Sequence, residues 1–425
     1  MTTVPPRIWS VGLAAAVVLA LALLAPAHGH LVLLACAALV LVILVATAPA
    51  FLLAMSLPLA YAYWRVGPDS LNMSAADAAL LLAVVVALPY VPWRSRRLQR
   101  ALLVVVAYQA LLVVPLLAHP TARALFELAH RGNLVGGSIL VGAALVELGA
   151  LRYGLRWFMF GSVFIAIVSI VDTITMGFDP AYPLGLQKNA AGNILAMAVL
   201  LGVLASPLLG LRRVTLISMQ VVIVAGLLAT QSRGSMLAVV VGFALWTLRG
   251  SSKRPSSAVA VLLLLVALAG TVSLVNDRET RRLHSDPAAA KFSPEASREA
   301  DYDAALTVWR GHPLYGAGLR YFNEPGANSS EAHNLFIVAL AESGLFGVAG
   351  LLVLFVGTFA VLARVHSKIA TIARLALLVR ALTGLVDIFW VAGRMTIPFV
   401  LVGAAIAVDA RERSEADRDP VRTFA

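Results

Sequence analysis

Long apolar stretches separated by short polar connections run along most of the chain. Each is close to the roughly 17–25 residues that a helix needs to cross about 30 Å of hydrocarbon. The pattern therefore predicts an all-α polytopic integral membrane protein with about 12–14 transmembrane helices. The predicted spans lie near 8–25, 31–47, 50–64, 76–92, 101–118, 133–150, 157–175, 191–208, 214–230, 235–249, 256–275, 347–364, 373–391 and 395–408. The short ones, 50–64 and 395–408, could also be half-helices or fused neighbours.

One connection, residues 276–332, is much longer and more polar than the others. Within it, "DYDAALTVWRG" has apolar residues at helical spacing, which predicts a partly helical loop from Arg298 onward. Long loops amid short ones are usually functional or disordered. The sequence thus divides into an N-terminal transmembrane helix bundle (1–275), the loop (276–332), C-terminal transmembrane helices that begin with a His-Asn pair (333–410) and a tail (411–425).

Composition and charge agree with a membrane protein. The chain is 60% hydrophobic and 13% charged, whereas soluble domains are about 45–50% apolar and about 25% charged. The formal charge of +11 arises from basic segments that an even number of spans places on one side, the cytoplasm. We therefore expect both termini in the cytoplasm, the long loop outside, and no nucleic-acid partner. The single cysteine, Cys36, excludes a disulfide framework and a cysteine metal site.

Several charged side chains fall at the extracytoplasmic ends of predicted spans or in the loop. Charges at a membrane border are costly and tend to mark a site, so we expect them to converge on one outward cavity. Arginine donors match phosphate oxygens, and an imidazole can take a proton from a hydroxyl. Together they suit glycosyl transfer from a lipid diphosphate. The residues are Lys188, Arg233, Arg298, Arg320 and His333, with Asp172, Asp387 and Arg394 near the same membrane face.

Three motifs carry a family resemblance. "HNLFIVALAESGLFG" combines His333-Asn334 with Gly344 and Gly347 after a nine-residue interval. The preceding "SREADYDAALTVWRGHPLYGAGLRYF" has an arginine, an aromatic four residues later, and a Pro-x-x-Gly-x-Gly turn; "TQSRGSMLA" has a Ser-Arg pair at a helix boundary. These motifs resemble those of the O-antigen ligase and O-antigen polymerase superfamily. The matching positions upstream are Ser232, Arg233, Arg298, Tyr302, Pro313, Gly316 and Gly318.

The resemblance implies a metal-independent, inverting membrane glycosyltransferase with a GT-C-like fold and no cofactor. Its donor would be an undecaprenyl-diphosphate-linked oligosaccharide and its acceptor a sugar hydroxyl of a glycan or glycolipid. By the motif match, His333 would activate the acceptor, and Arg233 and Arg298 would neutralise the diphosphate. Further substrate-binding candidates are Lys188, Arg320, Asn334 and Glu342.

Structural alternatives stand beside these roles. His333 and Asn334 could cap a helix, and Arg233 and Arg298 could anchor helix ends to lipid phosphates. Glu342 lies half a helical turn out of phase with His333 and is expected to contact a neighbouring span. Asp301 and Asp303 form a D-x-D pattern that could hold a divalent cation, although a solvated helix start fits them better.

Other functions also fit a polytopic chain with a basic cavity. A flippase for lipid-linked glycans would need the same features, but the internal repeats typical of transporters are not visible in the sequence. A peptidoglycan glycosyltransferase would not explain His333, because its expected centre is a loop carboxylate. A protein O-oligosaccharyltransferase shares the His-Asn motif. Ligase and polymerase are not separable from the sequence.

Overall fold

The computed structural model describes residues 43–65, 73–248, 270, 294–324, 331–387, 390 and 393–418. The predicted span near 8–25 lies outside these residues, as do most of those near 31–47 and 256–275. The chain divides into two compact units, residues 1–52 and 53–425. Of the first unit the structure describes residues 43–52, which are almost entirely helical. Apart from the first helix, which begins at Pro49, all features below belong to the second unit.

Most of the described residues are helical, and the extended pairing among them is a single antiparallel bridge between Arg65 and Ser74. The π-helical turn Asn133–Gly137 joins the helix Ala122–Gly132 to the helix Ser138–Glu147 without a break. The helices are α1 (Pro49–Met55), α2 (Ala75–Ala87), α3 (Arg96–Ala118), α4 (Ala122–Gly132), α5 (Ser138–Glu147), α6 (Leu151–Thr175), α7 (Lys188–Leu204), α8 (Arg213–Ala229), α9 (Arg233–Leu248), α10 (Pro294–Gly311), α11 (Leu335–Ala363), α12 (Lys368–Thr383) and α13 (Thr396–Arg418).

Three of these helices, α3, α6 and α11, are long and apolar enough to cross a membrane. Shorter apolar helices include α2, α7, α8 and α9. Large apolar side chains of α3 face outward, among them Leu103 and Leu117, at 65% and 74% exposure. Apolar side chains on the outer surface are expected where lipid replaces water. The fold is therefore that of a helical membrane protein, and the full number of spans stays a prediction.

Glycines allow the central helices to approach closely. A Cβ atom on Gly142 of α5 would lie 1.9 Å from the carbonyl oxygen of Val400, and one on Gly403 of α13 would lie 1.9 Å from that of Ile139. The two helices therefore meet backbone to backbone, the usual way in which small residues stabilise helix pairs in lipid. Helix α12 packs on α13 and α9, and α9 packs on α7. The helices whose ends carry the candidate residues are therefore gathered in one bundle.

Helix α11 is broken at Gly344, where φ is 61° and ψ is −152°. This conformation is accessible essentially to glycine alone. The break also explains why the predicted span near 347–364 begins later than the helix. Residues 335–343 form a separate first segment that carries the His-Asn motif at its start, and the second segment continues to Ala363.

The turn at residues 312–318 fills the break in α11. Backbone N–H groups of Ala317 and Gly318 donate to the carbonyl oxygens of Ala341 and Glu342, at 2.8 and 2.9 Å. In return, the N–H of Leu345 donates to Pro313 at 3.0 Å. Buried backbone groups must find such partners. This ladder therefore gives a physical reason for two motifs: the Pro-x-x-Gly-x-Gly turn, and the glycine that follows His-Asn after nine intervening residues.

Candidate functional site

His333 lies just before the first segment of α11, and its side chain is 33% exposed. Its Nδ1 atom is 3.5 Å from an oxygen of Asp387, which follows α12 and is 4% exposed. This distance exceeds that of an ordinary N–H···O hydrogen bond, so the two groups are close neighbours that are not hydrogen-bonded. The pair joins an accessible imidazole to a buried carboxylate, an arrangement that can orient the ring.

Among the described residues, the side chains of Arg394, Asn193 and Asn189 also contact Asp387. The guanidinium of Arg394 donates to one carboxylate oxygen at 2.8 Å, and the amide of Asn193 donates to the same oxygen at 3.0 Å. The amide of Asn189 lies 3.4 Å from the other oxygen. Asn189 and Asn193 are one turn apart on α7, so one helix face presents both amides.

The Ser-Arg motif reaches the same carboxylate through hydroxyl groups. Ser232 and Ser235 share a hydrogen bond of 2.8 Å, and Ser235 donates to the amide oxygen of Asn193 at 3.1 Å. Arg233 is the first residue of α9, and Lys188 is the first residue of α7. Both are half-buried. The bundle therefore brings two helix starts with basic residues to the neighbourhood of Asp387 and His333.

Asn334 caps α11. Its side-chain oxygen accepts hydrogen bonds from the N–H groups of Phe336 and Ile337 at 2.9 and 3.2 Å, and its amide donates to the carbonyl of Leu385 at 2.9 Å. Asn334 therefore caps the helix, as one alternative from the sequence proposed. Its hydrogen bond to Leu385 connects the His-Asn motif to the chain segment that leads to Asp387.

Arg298 lies on α10, a helix that packs on α11. Its side chain is exposed. Tyr302, four residues later and thus on the same helix face, donates its hydroxyl to the backbone carbonyl of His333 at 3.3 Å. Arg298 is therefore one helical turn from a residue that touches the motif.

A buried cluster of charges lies beside this region. Glu127 of α4 accepts hydrogen bonds from Arg131 at 2.6 Å and from Arg320 at 2.8 Å. Arg131 also donates to Glu342 of α11 at 3.1 Å. Glu342 is thus paired with a neighbouring helix, and Arg320 is paired with a carboxylate that is 1% exposed. Arg320 itself has a left-handed backbone, with φ of 66°.

His130 extends the cluster. Its Nε2 lies 2.9 Å from Asp77, and its Nδ1 lies 3.5 Å from Glu127. Burial disfavours the charged imidazole, but the bonds to Asp77 and Glu127 outweigh it and raise the pKa of His130 to about 9. The positive charges of Arg131 and Arg320 likewise outweigh burial at Glu127 and lower its pKa. His130 and Glu127 are therefore both ionised at neutral pH, and their opposite charges attract each other.

A cavity of about 320 Å³ opens between these groups. Its wall contains Arg320 and Glu342 from the sequence prediction, together with Arg394, which binds Asp387. The lining residues are Tyr63, Arg65, Ser74, Asp77, Glu127, His130, Arg131, Gly185, Gln187, Ala190, Arg320, Asn323, Glu331, Glu342, Trp390 and Arg394. The cavity thus adjoins the His333–Asp387 pair through Arg394 and Glu331.

Sequence reasoning missed Glu127, His130 and Arg131. At spacings of three and four residues they resemble the ion pairs of an exposed helix surface. A signal was present, because "FELAHRG" runs without a break into the apolar stretch near 133–150, and charges at such a border deserve a functional or structural explanation.

Comparison with known proteins tests the family resemblance. Residues 218–352 match the family model of the O-antigen ligases. Over these residues the chain is similar to the O-antigen ligases. The match extends from α8 into α11, so it includes Ser232-Arg233, α10 and His333-Asn334. No curated protein matches the chain. The resemblance read from the motifs is confirmed, and with the apolar helices the match supports a membrane glycosyltransferase of the ligase or polymerase type.

Proposed function

We propose that this protein transfers a glycan from undecaprenyl diphosphate to a sugar hydroxyl at the extracytoplasmic face of a bacterial inner membrane. Both termini would then lie in the cytoplasm. The observation that carries the proposal is the pairing of His333 with the buried Asp387 beside a polar cavity. The family match adds the reaction class.

In the proposed reaction the acceptor hydroxyl attacks the anomeric carbon of the donor sugar and gives its proton to His333. A new carbon–oxygen bond forms at that carbon, and its bond to the diphosphate oxygen breaks. Undecaprenyl diphosphate leaves with the bonding electrons, and attack from the opposite face inverts the configuration. Asp387 is a positioning residue that orients the ring and stabilises the imidazolium.

Arg233 and Arg298 are the proposed diphosphate ligands. Planar guanidinium groups can bind phosphate oxygens at two points, and diphosphate is a leaving group that needs charge neutralisation more than proton transfer. Preorganised cations could supply much of the rate acceleration. Lys188 starts a helix near the same carboxylate, which supports it as a further contact for the diphosphate.

Transfer by purified protein from a synthetic undecaprenyl-diphosphate oligosaccharide, measured in EDTA, tests the proposal. We expect wild-type activity in EDTA and roughly a hundredfold or greater loss in His333→Ala, since general base catalysis contributes about 10²–10⁴-fold. Arg233→Ala and Arg298→Ala should lose activity together with donor affinity. A ladder of products would indicate a polymerase, and a single addition a ligase.

Matched variants separate these effects from general damage. His366→Ala changes another exposed histidine, Arg310→Ala changes an exposed arginine of the same helix as Arg298, and Arg213→Ala changes an arginine that also begins a helix. All three should retain activity. Donor binding without turnover, insensitive to His333→Ala, would refute the transfer and favour a lipid-linked glycan flippase.

A further inference from the structure

Most of the charged groups around the cavity are paired with one another. Four arginines and four carboxylates line it, with His130 beside them. Arg131 binds Glu127 and Glu342, Arg320 binds Glu127, and Arg394 binds Asp387. Since opposite charges in contact largely cancel each other's field at longer range, three of the four arginines offer little net attraction to an added anion. A diphosphate, which only accepts hydrogen bonds, is poorly matched to this wall.

A neutral sugar is well matched to it. Each sugar hydroxyl both donates and accepts, so it needs neighbouring acceptors as well as donors. The carboxylates of Glu331 and Glu342 supply acceptors, the guanidinium groups supply donors, and the amides of Gln187 and Asn323 supply both. The volume of about 320 Å³ lies at the small end of small-molecule sites, which span about 300–1,000 Å³. It suits the end of a glycan rather than a long chain.

Trp390 gives the cavity one apolar side. Tyr108 stacks on its ring with centroids 5.7 Å apart, and the Cζ atom of Arg131 lies 4.8 Å from the ring centroid. The indole is thus fixed by partners, and it contributes a rigid wall rather than an adaptable one. A preformed wall of this kind favours selective binding because little ordering is required when a ligand enters.

The cavity also lies at the correct place for an acceptor. Glu331 in its wall precedes His333 by two residues, and Arg394 in its wall binds Asp387, which lies 3.5 Å from His333. The described residues that line the cavity do not include Arg233, Arg298 or Lys188. We propose that this cavity is the acceptor subsite: it holds a neutral sugar ring with a hydroxyl directed to His333, and the diphosphate binds outside it. This inference rests on the proposed transfer.

Two lining residues permit a test that spares the buried ion pairs. Gln187 is exposed and does not cap α7 through its side chain, and Glu331 is only partly buried. In the transfer assay, with methyl glucoside, methyl galactoside and methyl N-acetylglucosaminide as acceptors, Gln187→Ala and Glu331→Gln should each raise the acceptor KM about three- to tenfold, the effect of one hydrogen bond. Donor affinity should not change. Glu299→Gln, an exposed glutamate on α10, is the matched control.

Direct binding gives a second readout. Saturation-transfer NMR on the wild-type protein should detect at least one of the three methyl glycosides, and the signal should weaken in both cavity variants. Inorganic diphosphate should bind in an Arg233-dependent manner without displacing the glycoside. Saturation transfer to none of the glycosides, or their displacement by diphosphate, would overturn the inference.

The two proposals fail in different ways. Loss of donor affinity in Gln187→Ala and Glu331→Gln, with unchanged acceptor KM, would assign the cavity to the donor and leave the transfer reaction standing. Glycoside binding in the cavity by a protein that transfers nothing would instead refute the proposed transfer.

Discussion

An oxygen of Asp387 lies 3.5 Å from Nδ1 of His333, and the two residues come from chain segments separated by α11 and α12. The hydrogen bond from the Asn334 amide to the Leu385 carbonyl holds these segments together. The His-Asn motif thus carries two separate functions in the structure: the histidine faces a buried carboxylate, and the asparagine fixes both the helix start and the segment that supplies the carboxylate.

Asp387→Asn is therefore expected to lower kcat roughly ten- to a hundredfold, part of the general-base contribution of about 10²–10⁴-fold, with little change in donor KM. The amide cannot stabilise an imidazolium as the carboxylate does. The substitution also leaves Arg394 buried beside a neutral group, so the activity must be normalised to folded protein. Asp179→Asn, at an exposed position, is the control. An unchanged kcat in folded Asp387→Asn would exclude the positioning role.

Glu127→Gln should destabilise the protein strongly. Glu127 accepts from Arg131 and Arg320, and removing one partner of a buried ion pair costs about 3–5 kcal/mol. Glu324→Gln breaks a pair with Arg123 whose side chains are 30% and 35% exposed, and such pairs contribute about 0–1 kcal/mol. Thermal unfolding in detergent should show a much lower Tm for the first variant. Equal Tm values would mean that the cluster contributes little to stability.

Gly344→Ala should prevent normal folding of α11. Its Cβ atom would lie 2.3 Å from backbone atoms of Leu314, and the conformation itself costs a non-glycine residue about 1–3 kcal/mol. Gly311→Ala is the matched control, since a Cβ atom there meets nothing within 4 Å. Yield of monodisperse protein and Tm measure the difference. A stable Gly344→Ala protein would show that the turn at 312–318 can move away from the helix.

The pKa of His130 predicts a loss of stability at alkaline pH. Its folded-state pKa of about 9 exceeds its ordinary 6.5, so its charge stabilises the folded state fully below pH 6.5, and this contribution disappears as the pH rises through 9. The loss is on the order of 3 kcal/mol. The groups that face the imidazole are Asp77 and Glu127, with Arg131 next in the chain.

His130→Gln isolates this effect. The variant should be less stable than wild type at pH 6.5, and its Tm should change less between pH 6.5 and pH 9. Parallel Tm curves for the two proteins over this range would show that His130 is not charged in the folded state.

The sequence predicted much of this organisation, and the failures have a common cause. Apolar runs predicted the helices because lipid imposes length and hydropathy locally. The glycines after His333 and in the preceding turn were recognised from their spacing. The partners of Glu342 and Arg320 were not, because Glu127 and Arg131 approach them only when α4 packs near the break in α11. Local patterns contain no information on such distant pairs.

The same break restricts how the site can open. At the break, the carbonyl groups of Ala341 and Glu342 have no hydrogen-bond partner within α11. They instead accept hydrogen bonds from the N–H groups of Ala317 and Gly318 in the turn at 312–318. Because Ala341 and Glu342 are buried, releasing that turn would leave polar backbone groups without hydrogen bonds, at a cost of about 1–3 kcal/mol each. Residues 312–318 therefore cannot act as an independently swinging lid. Entry and release of substrates must either leave this turn in place or move it together with the first segment of α11 as a rigid body.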